Sequence, residues 1–134
     1  MPVILAVFCV ALMLALASCG GSSSPAGDTV DTTVFQGIWD HEGGGERMVF
    51  SGNNWRNYYG GSPYWNPENR GTFTATASRI YFIATEMWNS GWEVIPPQDR
   101  EQLGAYYSFH SGNARLQLTE VPYLYFLEGF WDRQ

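Results

Sequence analysis

Short runs in which apolar and polar residues alternate fill the chain from residue 35 onward. In 71–77 the threonines alternate with Phe73, Ala75 and Ala77, and in 114–119 polar residues alternate with Leu116 and Leu118. Such alternation is typical of a strand with one buried face and one wet face. Gly, Asn, Ser and Pro separate the runs. The pattern predicts strands over 35–41, 46–51, 54–60, 71–77, 79–85, 104–110, 114–119 and 124–133.

The spacing of these runs predicts one β domain. Turn signals recur at the intervals typical of a sandwich or barrel. In an up-and-down meander the tight turns at 51–53, 77–78 and 111–113 fall at one end, together with both termini of the domain. All the longer connections then meet at the other end. We therefore predict an all-β, small eight-stranded up-and-down antiparallel barrel, with a short helical turn starting at Pro97 in the 86–103 loop.

A repeated motif indicates how the sheet closes. Gly37-Ile38-Trp39-Asp40 returns near the end of the chain as Gly129-Phe130-Trp131-Asp132. A glycine in a strand marks a bend, and a tryptophan two residues later points to the same face and fills the space. We expect the first and last strands to pair.

The expected core is Phe35, Trp39, Met48, Phe50, Phe73, Phe82, Leu116, Leu118, Leu127 and Trp131. For strand 104–110, apolarity places Tyr107 and Phe109 inward, whereas the likeness of Gly104-Ala105-Tyr106 to Gly71-Thr72-Phe73 places Tyr106 inward.

The first residues have the features of a cleaved targeting segment. Val3 to Ala17 is a fifteen-residue apolar run, shorter than a membrane-spanning helix needs. The run ends in the segment Leu16-Ala17-Ser18-Cys19, which resembles the lipobox of bacterial lipoproteins. This resemblance implies lipid attachment to Cys19 and cleavage before it. The other interpretations are an ordinary secretory peptide with an incidental cysteine, or a short membrane anchor that is never cleaved. We expect a signal peptide at 1–18, a lipidated Cys19 with a flexible tether to residue 33, and a barrel domain over 34–134.

The domain itself resembles the bacterial lipocalin-like lipoproteins. The resemblance is carried by Gly37-x-Trp39, by the hairpins Phe50-Ser51-Gly52-Asn53 and Gly71-Thr72-Phe73, and by the final Gly129-Phe130-Trp131-Asp132-Arg133-Gln134. It implies a barrel whose Gly-x-Trp tryptophan, Trp39, lies beneath an arginine, for which Arg133 is the candidate. Gly37, Gly129 and Trp131 are the other expected closing residues. The resemblance also implies a lipid-anchored protein of the bacterial cell envelope, periplasmic or surface-exposed. Gly20 follows the lipobox cysteine in place of the Asp that retains lipoproteins at the inner membrane in some bacteria, so we expect the outer membrane.

The predicted long loops carry the candidate binding residues. Tyr64 and Trp65 lie in 60–70, and Trp88 and Trp92 lie in 86–103. One interpretation is that these aromatic side chains surround the barrel mouth and bind a small apolar or aromatic ligand, or grip a protein or glycan partner. The other is that they fold back and plug a barrel that is barely wide enough for its own side chains.

Composition and charge narrow the function classes. The chain has 134 residues, 16% aromatic, and a formal charge of −6. All seven basic residues are arginines, and no basic stretch exists to neutralise a nucleic acid. No motif for a catalytic nucleophile or a phosphate loop stands out. His41 and His110 fall at opposite ends of the predicted barrel, so they cannot bind one metal ion together. We expect a monomer that needs no cofactor or metal and is not an enzyme.

Overall fold

A computed structural model describes residues 30–122 and 127–134. Nine strands and two 3-10 turns make up this part of the chain. The strands are β1 (Gly37–His41), β2 (Glu46–Ser51), β3 (Asn54–Gly61), β4 (Tyr64–Ala75), β5 (Arg79–Trp88), β6 (Trp92–Val94), β7 (Gln102–His110), β8 (Arg115–Thr119) and β9 (Gly129–Arg133). The predicted signal peptide, Cys19 and residues 123–126 lie outside the described residues.

Eight of the strands form a closed antiparallel barrel, as the sequence predicted. The order around it is β1, β2, β3, β4, β5, β7, β8, β9, and β9 pairs back onto β1. The closing register sets Asp40 opposite Asp132 and Trp39 opposite Arg133. β6 pairs only with the last residues of β5 and extends that edge beyond the barrel. The predicted pairing of the first and last strands is therefore confirmed.

The two ends of the barrel differ in their connections. The turn end has the tight links β2–β3, β4–β5 and β7–β8, together with the start of β1 and the end of β9. The loop end has the connections 42–45, 62–63, 89–101 and 120–128. Within the described residues, no helix is long and apolar enough to cross a bilayer.

Aromatic and aliphatic side chains fill the barrel interior. All ten residues of the expected core are buried. Tyr107 and Phe109 pack against this core while Tyr106 is exposed, so apolarity and not the internal likeness gave the right inward face of β7. Five further apolar residues are buried beside the ten of the expected core, namely Trp55, Ala75, Ile80, Ala105 and Val121, and of these the alternation in 71–77 had already placed Ala75 on a buried face.

Phe35 plugs the turn end of the barrel instead of starting the first strand. Residues 32–35 form a 3-10 turn capped by the Asp31 side chain, and β1 begins only at Gly37. The Phe35 ring is fully buried and contacts Phe50, Phe73, Tyr107 and Phe109. Val30 also packs on the core, so residues 30–33, expected to be tether, belong to the folded domain.

The region 60–70, expected to be a loop, is a β-hairpin. β3 runs to Gly61 and β4 starts at Tyr64, so only Ser62 and Pro63 connect them. The glycines and prolines of this region favoured a loop, because proline has no N–H to donate within a sheet. Pro67, however, lies beside a β-bulge at Glu68, in the part of β4 that pairs with β3 but not with β5. A missing N–H is tolerated at such an edge.

The region 86–103 is also more ordered than expected. β5 continues to Trp88, β6 pairs with it, and β7 already begins at Gln102. The helical turn predicted at Pro97 is present as a 3-10 turn over Pro97–Asp99. The last strand begins at Gly129 and is therefore shorter than the predicted 124–133. Gly129 itself has a φ of 120°.

Candidate ligand-binding site at the loop end

A cavity of about 230 Å³ opens at the loop end of the barrel. Its inner wall is formed by inward-facing side chains of β3, β4, β5 and β7, and the connection between β6 and β7 forms its outer wall. Trp55 and Phe82 contact each other there with ring centroids 5.1 Å apart. The lining residues are Trp55, Asn69, Phe82, Ala84, Ile95, Asp99, Arg100, Glu101 and Leu103. The cavity is thus apolar in its depth and charged at its rim.

One backbone hydrogen bond and one side-chain hydrogen bond hold the outer wall in place. The Ile95 N–H donates to the Thr85 carbonyl at 2.8 Å, which fixes the start of the connection on β5. The Arg100 side chain folds back, and its Nε donates to the Ile95 carbonyl at 2.8 Å. The segment between them therefore forms a compact cover.

Two β-bulges lie beside the cavity and explain its shape. Glu68 is the extra residue of β4 opposite β3, and Thr85 is the extra residue of β5 opposite β4. Their neighbours Asn69 and Ala84 line the cavity. At Gly71 a Cβ atom would lie 1.8 Å from the Ile83 carbonyl oxygen, so only glycine allows the strands to approach this closely. Bulges bend a strand and re-aim its side chains.

Trp55 is the buried residue of the cavity with an unused polar atom. Its side chain is 3% exposed. The indole Nε1 is buried and has no acceptor among residues 30–122 and 127–134. A buried indole N–H normally finds a partner, so Trp55 is an exception among the core tryptophans of the described residues.

A polar cluster lies on the same inner face, around Asn57. Asn57 is 1% exposed, donates from Nδ2 to the Glu68 carboxylate and accepts from the Asn69 N–H at 3.1 Å. Glu46 is two residues before buried Met48 on β2, and its Oε2 is buried without a partner in the described chain. Burial, reinforced by the negative charge of Glu68, raises the pKa of Glu46 to about 7.

The four aromatic residues predicted as binding candidates lie elsewhere. Tyr64 is at the tip of the β3–β4 hairpin and is 81% exposed. Trp65 and Trp92 lie against the guanidinium groups of Arg47 and Arg70, with Cζ 4.4 and 4.2 Å from the ring centroids. Trp88 contacts Trp92 edge to face, and 41% of it is exposed.

The bulges reverse the alternation and turn Trp65 and Trp88 to the outer face. Phe73 in β4 and Phe82 in β5 face inward, and an uninterrupted count would also turn Trp65 and Trp88 inward. The extra residues Glu68 and Thr85 shift the count by one, so these tryptophans project from the outer face. They neither plug the barrel nor line the cavity. Their role as partner contacts stays a prediction.

The closing residues come together as the resemblance implied. The Arg133 guanidinium lies over Trp39, with Cζ 4.5 Å from the ring centroid, and donates to the Val34 carbonyl. Gly37 and Gly129 have φ of 118° and 120°, values that favour glycine. The Trp131 indole donates to the Leu127 carbonyl at 3.0 Å.

Arginine clamps, which were not anticipated, stiffen the outer face. Arg47 binds Asp40 through two hydrogen bonds of 2.6 and 2.7 Å, and Arg115 binds Asp132 through two of 2.7 and 2.9 Å. Asp40 and Asp132 face each other across the closing seam, so each clamp offsets the repulsion between them. The bond from Arg115 lowers the pKa of Asp132. A planar guanidinium can both fork a carboxylate and stack on a ring, which the ammonium group of lysine cannot do.

Comparisons with protein-family profiles, curated proteins and solved structures gave no match. Among the described residues, no group of three or more His, Cys, Asp or Glu side chains is arranged to hold a metal ion.

Proposed function

We propose that this chain is a membrane-anchored lipoprotein whose lipocalin-like barrel binds a small apolar or aromatic ligand at the loop end. The observation that supports ligand binding is the cavity of about 230 Å³, apolar in its depth and bounded by an ordered connection. Pockets for drug-sized ligands are roughly 300–1,000 Å³. An apolar cavity of roughly 150 Å³ is enough for benzene. The ligand class is therefore a molecule built on a single ring.

The anchoring part of the proposal rests on the lipobox resemblance at Leu16-Ala17-Ser18-Cys19. The described domain begins at the turn end, so a tether from Cys19 would enter there. The cavity at the opposite end would then face away from the membrane. Two acyl chains give stable anchoring where a single chain gives reversible binding.

Cell fractionation tests the anchor. We expect the full chain in the membrane fraction of bacterial cells and the Cys19→Ser variant in the soluble fraction. Cys9→Ser is the matched control, because Cys9 lies inside the apolar run and would be removed with it. A Cys19→Ser chain that stays with the membrane, with its N-terminus cut, would contradict lipid attachment at this residue.

Titration with α-methylstyrene, an apolar single-ring compound, tests the cavity. We expect saturable binding by the wild-type domain, measured by NMR. Ala84→Leu places extra carbons in the cavity and should weaken binding at least about tenfold. Ala77→Leu makes the same change at an exposed turn and should leave binding unchanged. No saturable binding by the wild-type domain up to the solubility limit would overturn the proposal.

A second candidate function is binding of a protein or glycan by the outward aromatics. It is favoured by the exposure of Tyr64, Trp88 and Val94, which is 81%, 41% and 66%. A photo-crosslinking amino acid at position 88 should then capture one partner in living cells, whereas the same group at Ser78, at the turn end, should not. Equal capture at both positions would count against a specific surface.

A further inference from the structure

Arg79 lies between two tyrosine rings on the outer face of the barrel, near the turn end. Its Cζ is 5.6 Å from the centroid of the Tyr81 ring and 4.6 Å from that of Tyr106. In the register of β5 and β7, Arg79 pairs with Tyr106, and Tyr81 pairs with Gly104. A Cβ at Gly104 would lie 3.0 Å from atoms of the Tyr81 ring and 3.3 Å from the Arg79 Nη2. Because residue 104 has no side chain, these four residues form a cradle for the guanidinium, which we call the Arg79 cradle.

Five arginines of the described chain stack on an aromatic ring, and Arg79 differs from the other four. Arg47, Arg70 and Arg115 each bind a carboxylate through two hydrogen bonds. Arg133 donates to a backbone carbonyl. Within residues 30–122 and 127–134, no carboxylate is at ion-pair distance from Arg79. The Arg79 cradle therefore has the aromatic part of the three clamps without their anion.

The neighbours of the cradle on the outer face carry hydroxyl groups and no charge. Thr74 in β4 lies opposite Tyr81, and Thr119 in β8 lies opposite Tyr106. Glu120 follows Thr119 but forms no ion pair with Arg79. The charge of Arg79 is thus not offset locally, although the whole chain carries −6. An anion is the group that complements such an isolated cation.

The open edge of the guanidinium indicates which anion fits. Of the nitrogens in the Arg79 side chain, Nε is the one that is buried without a partner in the described chain. The two terminal nitrogens form no hydrogen bond there either, so they are open to solvent. Each directs one N–H along the end of the guanidinium plane, which matches the two oxygens of a planar carboxylate. Tyr106 is 40% exposed and offers its ring to the body of the ligand.

We propose that the Arg79 cradle binds a small carboxylate, whose oxygens accept from the terminal N–H groups of Arg79 and whose ring-sized body lies against Tyr106. The ligand completes the arrangement that acidic side chains of the chain itself complete in the three clamps. This site lies on the outer face, apart from the loop-end cavity, and does not depend on the function proposed above.

Benzoate and benzamide are matched probes for this site, because they share shape and ring but differ in charge. During titration of the wild-type domain with benzoate, the NMR signals of the Tyr106 ring and of the Arg79 Nε–H should shift and saturate together. Benzamide should bind there at least about tenfold more weakly, since it lacks the charge-assisted pair of hydrogen bonds. These signals belong to the turn end, so a probe that also enters the loop-end cavity does not confuse the result.

Arg79→Gln should weaken benzoate at least about tenfold. Arg56→Gln is the matched control, because Arg56 is exposed and stacks on no ring among the described residues, and it should leave binding unchanged. Methyl glucuronide and methyl glucoside, titrated in the same way, distinguish the source of the carboxylate. Tighter binding of the glucuronide than of benzoate assigns the site to sugar acids, and the reverse order assigns it to aromatic acids.

The wild-type titrations decide the question even if Arg79→Gln fails to fold. If benzoate and benzamide shift the Tyr106 and Arg79 signals alike, or if no carboxylate probe saturates them up to its solubility limit, the inference is wrong. Equal weakening of benzoate by Arg79→Gln and Arg56→Gln would show a general effect of charge and would also overturn it.

Discussion

Trp39 and Trp131 are equivalent under a local twofold relation between the first and last strands. Asp40 lies opposite Asp132, so each tryptophan stands one residue before the centre of the pairing. Each indole donates to the carbonyl four residues earlier, at Phe35 and Leu127. Arg133 covers Trp39 at 4.5 Å, and the His41 ring contacts Trp131 with centroids 5.0 Å apart. The repeated Gly-x-Trp motif is therefore one structural device used twice to close the barrel.

Gly37 and Gly129 should not tolerate a side chain. Their φ values of 118° and 120° are strained for any L-residue, so Gly37→Ala and Gly129→Ala should each lower the free energy of unfolding by about 1–3 kcal/mol. Gly129→Ala should be the more damaging, since its Cβ would lie 2.8 Å from the His41 Nε2. Urea denaturation measures both, with Gly91→Ala as the control in open space. Equal stability of all three variants would contradict the closure described here.

Phe35→Ala should remove the plug at the turn end. The ring is fully buried among four aromatic side chains, so its loss should cost about 3–5 kcal/mol in the free energy of unfolding. Tyr64→Ala removes an aromatic ring that is 81% exposed and should change stability by less than about 0.5 kcal/mol. A loss below about 1 kcal/mol for Phe35→Ala would show that residues 30–35 are not part of the fold.

Arg47→Lys should weaken the outer face although it keeps the charge. Lysine cannot make both bonds to Asp40 or stack its plane on Trp65, so the melting temperature should fall by roughly 2–6 °C. Arg56→Lys is the control, because Arg56 is exposed and forms no side-chain hydrogen bond within the described residues. Similar melting temperatures for the two variants would mean that the clamp contributes no more than a surface charge.

Glu46 should make the domain less stable as pH rises towards neutrality. Its pKa is about 7 in the folded chain against 4.5 for the free side chain. Between these values the folded chain holds a proton that the unfolded chain has lost, so the free energy of unfolding falls from about pH 4.5 to about pH 7 and then levels off. Glu46→Gln should remove this contribution.

Urea denaturation at pH 5 and pH 8 checks the effect of Glu46. The stability of Glu46→Gln relative to wild type should be higher at pH 8 than at pH 5. Glu120→Gln, at an exposed position, should show no such change. If the free energies of unfolding of Glu46→Gln and wild type differ by the same amount at both pH values, the folded chain does not hold Glu46 in its protonated form.

The barrel and its core could be predicted because alternation and the repeated Gly-x-Trp are local patterns. The outward turn of Trp65 and Trp88 could not, since each depends on one extra residue, Glu68 or Thr85, that looks like any other strand residue. Trp55 was missed for a related reason. The next inward position of its strand is Asn57, a buried polar residue that interrupts the apolar alternation.

The central claim is that the loop-end cavity takes a single-ring ligand, and methyl NMR of the labelled domain tests it most directly. During titration with acetophenone, the methyl signals of Ala84, Ile95 and Leu103 should shift together and saturate at one dissociation constant. Those of Ile38 and Val49, on the outer face, should not move. Shifts confined to the outer face, or none that saturate, would contradict a ligand site inside the barrel mouth.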